Sequence, residues 1–264
     1  MSTEHTTPAE LLRALVDADP GRPRITVYDD TDSPTRGERI ELSARVLANW
    51  VAKAANLLRD ELDVEVGSVV RLDLPPHWRT LYWALATWSV GGCVEVPRHR
   101  GSDAVAAPAA SGSGSARVDV VVTDAVDVAT ATSAASGEAV LVTLAALARS
   151  AGAPVPSGVV DEARELATHG DVFDAWDQPD PSDPALRVLG AGGHPTDATA
   201  YETLVPATGR GPERVHTSTT DTARFLRLAL EVWAGDGSVV LTRGTPTDEV
   251  LASRLSAEGV TRQA

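Results

Sequence analysis

The sequence predicts a layered α/β domain with a mostly parallel sheet and flanking helices. Short β-branched runs alternate with longer segments in which apolar residues recur at helical spacing. The repeated strand–helix–strand order favours parallel pairing through right-handed crossovers. A chain of 264 residues can bury a sizeable core. We therefore expect a single domain over residues 8–264, preceded by a flexible tail at residues 1–7.

Residues 8–100 are predicted to form the first half of this domain. The segment PAELLRALVDADPG predicts a helix that starts at Pro8, and RITVYDD and GERIEL predict two strands joined by a polar turn. Ser43 is expected to cap a long helix. A strand, a helix and a strand follow in SVVRLDL, PHWRTLYWALATWSVGG and CVEVP. The apolar stripe of the long helix comprises Val46, Leu47, Trp50, Val51, Ala54, Leu57 and Leu58.

A Gly/Ser/Ala-rich stretch at residues 101–116 predicts a flexible loop, and residues 117–264 form the second half. Here RVDVVVTD and EAVLVTL predict buried strands, VVDEARELATHG a short helix and DVFDAWDQPDPSDP an acidic connector. The segment ERVHTSTTD leads into the helix TARFLRLALEVWAGDG, and SVVLTRG is a strand. Thr245 and Pro246 mark the start of a last helix, TPTDEVLASRLSAEGV.

Charge and composition argue against several partners and locations. A net charge of −14 disfavours nucleic acid. No apolar run approaches the roughly 18 residues that span a membrane, and the amino terminus lacks the features of a signal peptide. Cys93 is the only cysteine, which excludes an internal disulfide and fits a reducing compartment. We expect a cytoplasmic protein without membrane insertion.

No residue pattern predicts a catalytic group or a metal site. The histidines are scattered without ligand spacing. Trp78 and Tyr82 share one helix face, where core packing is the simpler interpretation and an aromatic ligand wall the alternative. The hydroxyls and carboxylate of HTSTTD are typical of a helix cap, with ligand binding as the alternative.

The stretch from RPRITVYDD to GGCVEVP resembles the start of the AMP-binding, adenylate-forming enzymes, which include acyl-CoA synthetases, peptide-synthetase adenylation domains and luciferases. The resemblance rests on four elements in order: an edge hairpin, a long helix ending ANLLRDEL, the strand VGSVVRLDLP and a helix leading into GGCVEVP. Near the other end, WAGDGSVVLTRGTPTDEVLASRLSAEGVT is similar to the elements after the family's phosphate loop. The resemblance is closer still to short actinobacterial proteins faintly similar to these enzymes. It implies the first half of the large N-terminal domain, with the lysine-bearing C-terminal domain absent.

The motif RVLGAGGHPTD, residues 187–197, stands where this family has its phosphate loop. The family's loop is rich in Ser and Thr, continues with Gly and then Pro-Lys-Gly, and holds ATP phosphates with backbone N–H groups, hydroxyls and the lysine. Pro195 keeps its place, whereas Thr196 stands at the lysine position and Asp197 at the last glycine. The candidate cofactor-binding residues of this degenerate loop are Gly190, Gly192, Gly193 and Thr196.

Two hypotheses for function follow from the resemblance. In the first, the chain is a non-catalytic, truncated relative without a cofactor, acting as a binding, regulatory or interaction protein; Lys53 is its only lysine. In the second, it binds ATP, AMP or an acyl-adenylate, or forms part of a ligase that another chain completes. A half-length fold would expose sheet edges and apolar faces, so we expect a homodimer or a protein partner that covers the end near SVVLTRG.

Overall fold

The computed structural model describes residues 6–97, 117–152, 154–190, 193–207 and 210–264. The loop predicted at 101–116, most of the predicted tail and the candidate residue Gly192 lie outside these ranges. The strands are β1 Pro23–Asp30, β2 Arg39–Ser43, β3 Val69–Asp73, β4 Cys93–Pro97, β5 Val120–Thr123, β6 Glu138–Leu141, β7 Val159–Asp161, β8 Pro184–Leu189, β9 Pro195–Ala200, β10 Arg214–Thr217, β11 Ser238–Gly244 and β12 Arg262–Gln263. The helices are α1 Pro8–Ala18, α2 Ala44–Asp60, α3 Trp78–Ser89, α4 Val126–Ala134, α5 Glu162–Glu165, α6 Tyr201–Leu204, α7 Thr222–Ala234 and α8 Asp248–Ala257.

The strands form two sheets, where the sequence led us to expect one. The first sheet has the order β12-β10-β11-β1-β2, and the second has the order β7-β6-β5-β3-β4-β8-β9. All neighbours are parallel except β1 with β2 and β8 with β9, so the prediction of a mostly parallel α/β fold is confirmed. The division could not be read from the sequence, because β1 pairs with β11 from the other end of the chain, with Val27 opposite Leu241.

Helices α3 and α7 lie between the two sheets. Helix α3 contacts β1 of the first sheet and β3 and β4 of the second, and α7 contacts β11 and β4. Because α3 is covered on all sides, every residue from Trp78 to Trp88 is buried. Trp78 and Tyr82 therefore belong to the core, as their apolar spacing predicts. One position of the predicted α2 stripe is wrong: the Val46 side chain is 42% exposed, because it lies in the first turn, beyond the packed face.

Several predicted elements end elsewhere or were missed. The Ser43 hydroxyl accepts a hydrogen bond from the Val46 amide and caps α2, as predicted. The last helix begins after Thr247, whose hydroxyl accepts from the Val250 amide. The short helix expected from residue 159 starts later, because its first three residues form β7. Helix α4 and strand β9 have no counterpart in the sequence prediction.

Strand β11 is not a sheet edge. It is hydrogen-bonded to β10 on one side and to β1 on the other, so a partner expected near residues 238–244 finds no free strand edge there. The terminal strands of the two sheets are β12 and β2 in the first and β7 and β9 in the second. In the ranges that the structure describes, no helix has the length and apolar character required to cross a membrane.

Candidate functional site

The candidate loop is the turn of an antiparallel hairpin. It joins β8 to β9, with Val188 opposite Asp197 in the ladder. The Gly190 amide donates to the His194 carbonyl at 2.9 Å, and the Gly193 amide donates to the Gly190 carbonyl at 3.2 Å. Gly193 has a φ of +74°, a conformation that favours glycine. The backbone donors of both glycines are therefore used within the turn itself.

Gly190 is required by packing inside the hairpin. A Cβ atom at this position would lie 2.4 Å from Cγ2 of Thr196, far closer than two carbon atoms can approach. The Thr196 hydroxyl donates to the Val188 carbonyl at 3.1 Å. Thr196, at the family's lysine position, thus stabilises the hairpin through a hydrogen bond between its two strands.

Asp197 ties the hairpin to α7. Its carboxylate lies 2.6 Å from Nη2 of Arg227, and the same nitrogen donates to the Thr199 hydroxyl at 3.1 Å. Both charged side chains are partly exposed, so the pair fixes orientation more than it adds stability. Asp197, at the position of the family's last loop glycine, therefore forms its ion pair with Arg227 of α7.

The arginines that follow or precede the loop in sequence do not converge on it. Arg214 donates to the Thr26 hydroxyl at 3.0 Å and pairs with Glu258, on the first sheet. Arg210 is exposed and lies 3.8 Å from Glu231. Only Arg187 belongs to the hairpin, in strand β8.

Arg187 lies in a row of charged residues across the second sheet. It is opposite Glu95 of β4, which is in turn opposite Arg71 of β3. Arg71 pairs with Glu95 at 2.7 Å, whereas Nη1 of Arg187 is buried and has no hydrogen-bond partner in the described structure. Arg24, Arg79 and Arg214 also have buried guanidinium nitrogens without a partner, and the nitrogen of Arg187 differs from these in lying on the strand that leads into the loop.

The only lysine has a structural contact elsewhere. Lys53, in α2, donates to the His169 carbonyl at 2.6 Å and pairs with Asp171 at 2.8 Å. Within the described residues, the loop thus offers a phosphate group no free donor from Gly190, Gly193 or Thr196, and it carries a carboxylate. These groups do not fit a triphosphate, which needs donors and positive charge.

A buried ion pair on α3 was missed by sequence reasoning. Arg79 lies 2.8 Å from Glu162 of α5, and both side chains are fully buried. The guanidinium packs 4.4 Å from the Trp78 ring and donates to the Ala145 carbonyl at 2.8 Å. Burial raises the pKa of Glu162 to about 7, against the lowering effect of Arg79. The signal was present, because Arg79 interrupts an otherwise apolar helix.

His77 caps the same helix. Its Nδ1 accepts from the Arg79 amide at 3.3 Å, and the ring is buried. Burial, with the nearby charges of Arg243 and Arg79, holds the pKa of His77 well below its ordinary value, so the imidazole is neutral in the folded chain. In the described residues, no group of three or more His, Cys, Asp or Glu side chains could hold a metal ion.

Comparison with known proteins identifies a relative that aligns over nearly its whole length. The TIGR03089 family protein of Mycobacterium tuberculosis (strain ATCC 25618 / H37Rv) is 33% identical over 268 residues, which cover 97% of this chain and 99% of that protein. No profile of a known protein family matches the chain.

The solved structures that resemble this chain include CoA ligases and acyl-CoA synthetases. Acetoacetyl-CoA synthetase from Streptomyces lividans matches with a TM-score of 0.71 and 18% identity, over 97% of this chain and 42% of that one. The anthranilate CoA ligase AuaEII, solved with anthranoyl-AMP, matches with a TM-score of 0.68 and 13% identity, over 98% and 48%. The fatty acyl CoA synthetase of Mycobacterium tuberculosis gives a TM-score of 0.67 and 15% identity, over 97% and 48%.

At these identities the likeness concerns the fold, and this chain spans about half the length of the enzymes it matches. The expected resemblance to AMP-binding enzymes is confirmed over the whole chain. The chain belongs to the TIGR03089 family and has the fold of AMP-binding acyl-CoA synthetases and adenylation domains.

Proposed function

We propose that this chain is a non-catalytic member of the AMP-binding fold that acts as a binding or regulatory protein. One observation carries the proposal: among the described residues, the polar side chains of the candidate loop already have partners, in the hairpin or on α7. The Thr196 hydroxyl is bonded to the Val188 carbonyl, and the Asp197 carboxylate is bonded to Arg227. A loop built in this way is a structural turn.

The charge requirement of the reaction supports the same proposal. Adenylation transfers a nucleotidyl group, and cations must stabilise the charge that develops on the phosphate. Lys53 is held by His169 and Asp171. Arg227, which contacts the hairpin's second strand, is neutralised by Asp197. A carboxylate facing a triphosphate would oppose binding.

A second candidate function is binding of ATP, AMP or an acyl-adenylate without turnover, or with a second chain that completes the site. The unpaired Nη1 of Arg187, on the strand that leads into the loop, favours it, as does the positive φ of Gly193. The resemblance to a ligase solved with anthranoyl-AMP points to the same ligand class.

Calorimetric titration with ATP, AMP and a non-hydrolysable acyl-AMP analogue separates the two functions. The main proposal predicts no heat of binding from any of them. Micromolar binding that is lost in Gly193→Trp and in Arg187→Gln, but retained in the control Arg210→Gln, would replace it with the second function. Arg210 is a suitable control because its side chain is exposed and its one ion pair is long.

The proposal also includes a cytoplasmic location and a homodimer or protein partner. The four terminal strands of the two sheets are the places where further strands could add. Light scattering over a range of concentrations tests the homodimer: a mass that stays at one chain, 27.6 kDa, would remove it and leave the protein partner.

A further inference from the structure

A groove lies at the end of the molecule opposite the candidate loop. It is formed by the carboxyl end of α2, the turn before β3 and residues 173–177, and it has a volume of about 170 Å³. Val64 and Val66 of the turn precede the amino end of β3, whereas the candidate loop follows the carboxyl end of β8. Because β3, β4 and β8 are parallel neighbours, the two features lie at opposite sheet ends.

One wall of the groove belongs to residues 169–177, which we call the α2 strap. The strap has no helix or strand and is held by three side chains on one face of α2. Lys53 donates to the His169 carbonyl at 2.6 Å, and Asn56 donates to the Gly170 and Val172 carbonyls at 3.2 and 2.9 Å. Arg59 donates to the Asp174 carbonyl at 2.9 Å. The groove is thus a built feature of the fold.

The strap presents an exposed tryptophan at the groove. Trp176 is 78% exposed, although Trp78, Trp83, Trp88 and Trp233 are buried and Trp50 is half-buried. The guanidinium of Arg59 packs 4.8 Å from the Trp176 ring and 4.9 Å from the Phe173 ring. Burying this ordered but exposed indole against a partner would contribute favourable free energy. Exposed aromatic side chains of this kind are typical anchor residues of interfaces.

The groove is acidic. Asp63, Glu65 and Asp177 line it, and no described residue forms an ion pair with any of the three. The one cation of the lining, Arg59, already pairs with Asp60 at 2.6 Å. The carboxyl end of α2 also points here, and the negative end of its helix dipole adds negative potential. An exposed indole and three free carboxylates together favour a cation.

The volume of the groove favours an inserted side chain over a small-molecule ligand. Small-molecule sites occupy about 300–1,000 Å³. At about 170 Å³ the groove is smaller than such sites and matches a single inserted side chain. The apolar lining from Val64, Val66, Val90 and Phe173 suits the flanks of such a side chain.

We propose that this groove is a docking site for a partner protein, which inserts one arginine or lysine side chain between Trp176 and the carboxylates of Asp63, Glu65 and Asp177, with apolar residues on either side of that cation. The inference goes beyond the function proposed above, because it concerns the other end of the sheet and does not depend on whether the loop binds a nucleotide.

The turn after α2 offers a variant that removes charge without weakening the fold. Asp63 has a φ of +51°, a left-handed backbone conformation that glycine adopts at lower cost than aspartate. Asp63→Gly therefore removes a groove carboxylate and relieves an unfavourable backbone conformation. Asp177→Asn removes a second carboxylate from an exposed position. Glu202→Gln, exposed on α6, is the matched control.

The test is a titration of the labelled chain, followed by amide and indole N–H signals in two-dimensional NMR spectra. The probes are three acetylated and amidated pentapeptides, Ala-Leu-Xaa-Leu-Ala, with arginine, neutral citrulline or glutamate at the centre. The indole signal of Trp176 is assigned by its loss in Trp176→Phe. We expect the arginine peptide to shift this signal and the amides of residues 59–66 with a Kd of about 1 mM, and citrulline to bind about tenfold more weakly.

The double variant Asp63→Gly, Asp177→Asn should weaken the arginine peptide about tenfold, and Glu202→Gln should leave its affinity unchanged. Equal shifts with citrulline or glutamate, or no saturable shift of the Trp176 indole, would overturn the proposal. So would a Trp176 signal that moves with the concentration of the chain alone, because the occupant would then be a second copy. These outcomes do not depend on whether the chain is a catalyst. The docking site and the proposed non-catalytic function can therefore be disproved independently of each other.

Discussion

At the residue scale, the two glycines of the hairpin have different physical roles. Gly190 has no room for a Cβ atom beside Thr196, whereas Gly193 has open space and a positive φ. Gly190→Ala should therefore lower the free energy of unfolding by about 2 kcal/mol through overpacking. Gly193→Ala should cost about 1 kcal/mol through backbone strain alone.

Urea denaturation of both variants measures this difference. A smaller cost for Gly190→Ala than for Gly193→Ala would show that the β8–β9 hairpin is looser than described. The far-UV circular dichroism of both variants should match that of the wild type, since each change is confined to the turn.

The buried imidazole at the start of α3 makes stability depend on pH. The pKa of His77 is lowered in the folded chain, so below about pH 6.5 only the unfolded chain takes up the proton. Its contribution to stability is complete above that pH and falls by up to about 1.4 kcal/mol per pH unit as the pH decreases.

His77→Asn tests this account, because asparagine keeps a helix cap without titrating near neutral pH. Between pH 7 and pH 5, the variant should lose less stability than the wild type in parallel denaturant titrations. Parallel slopes for the two proteins would mean that His77 is protonated in the folded chain.

The sequence could predict the turn of the candidate site but not the ion pairs and hydrogen bonds of its side chains. Glycine and proline at 190–195 predict a turn because of their backbone preferences. Thr196 and Asp197 differ from the residues that the family has at these positions. The partner of Asp197 is Arg227, 30 residues later, and nothing local identifies it. The buried pair of Arg79 with Glu162 is 83 residues apart and is hidden for the same reason.

At the element scale, α8 is held on the first sheet mainly by charge. None of its residues is fully buried. Glu258, which follows its last turn, accepts from Tyr28 and from Arg39 and pairs with Arg214. Arg254 pairs with Asp30 at 2.7 Å and packs 4.0 Å from the Tyr28 ring.

We expect Glu258→Gln to loosen α8 selectively, because the change removes charge-assisted hydrogen bonds worth about 2 kcal/mol. Amide hydrogen exchange in residues 248–257 should become faster by about an order of magnitude, while α7 keeps its protection. Glu249→Gln, an exposed acid of the same helix, is the control. Unchanged exchange in α8 would contradict its electrostatic attachment, and so would acceleration spread over both helices.

Periodicity explains which elements the sequence predicts. Helices α2 and α7 have strong apolar stripes, and the central strands are β-branched and buried. Helix α4, VDVATATSA, has no apolar face, and β9, PTDATA, is an exposed terminal strand without alternation. These two elements are defined by the neighbours they contact, so their own residues carry little signal.

At the scale of the whole molecule, the second sheet has distinct features at its two ends. At the carboxyl ends of β3, β4 and β8, the described loop is closed by its own hydrogen bonds. At the other end, a groove lined by carboxylates beside Trp176 is open. The parallel α/β class followed from the sequence, but the two-sheet division depends on the pairing of β1 with β11, between distant segments.

The most direct test of the central claim is pyrophosphate exchange into ATP by the purified chain, measured with a panel of carboxylic acids. The absence of a free donor from Gly190, Gly193 or Thr196 predicts exchange at the level of a blank without protein. An active acyl-CoA synthetase of the same fold is the positive control. Reproducible exchange that depends on the carboxylic acid and disappears in Gly193→Trp would contradict the account and make this chain a catalyst.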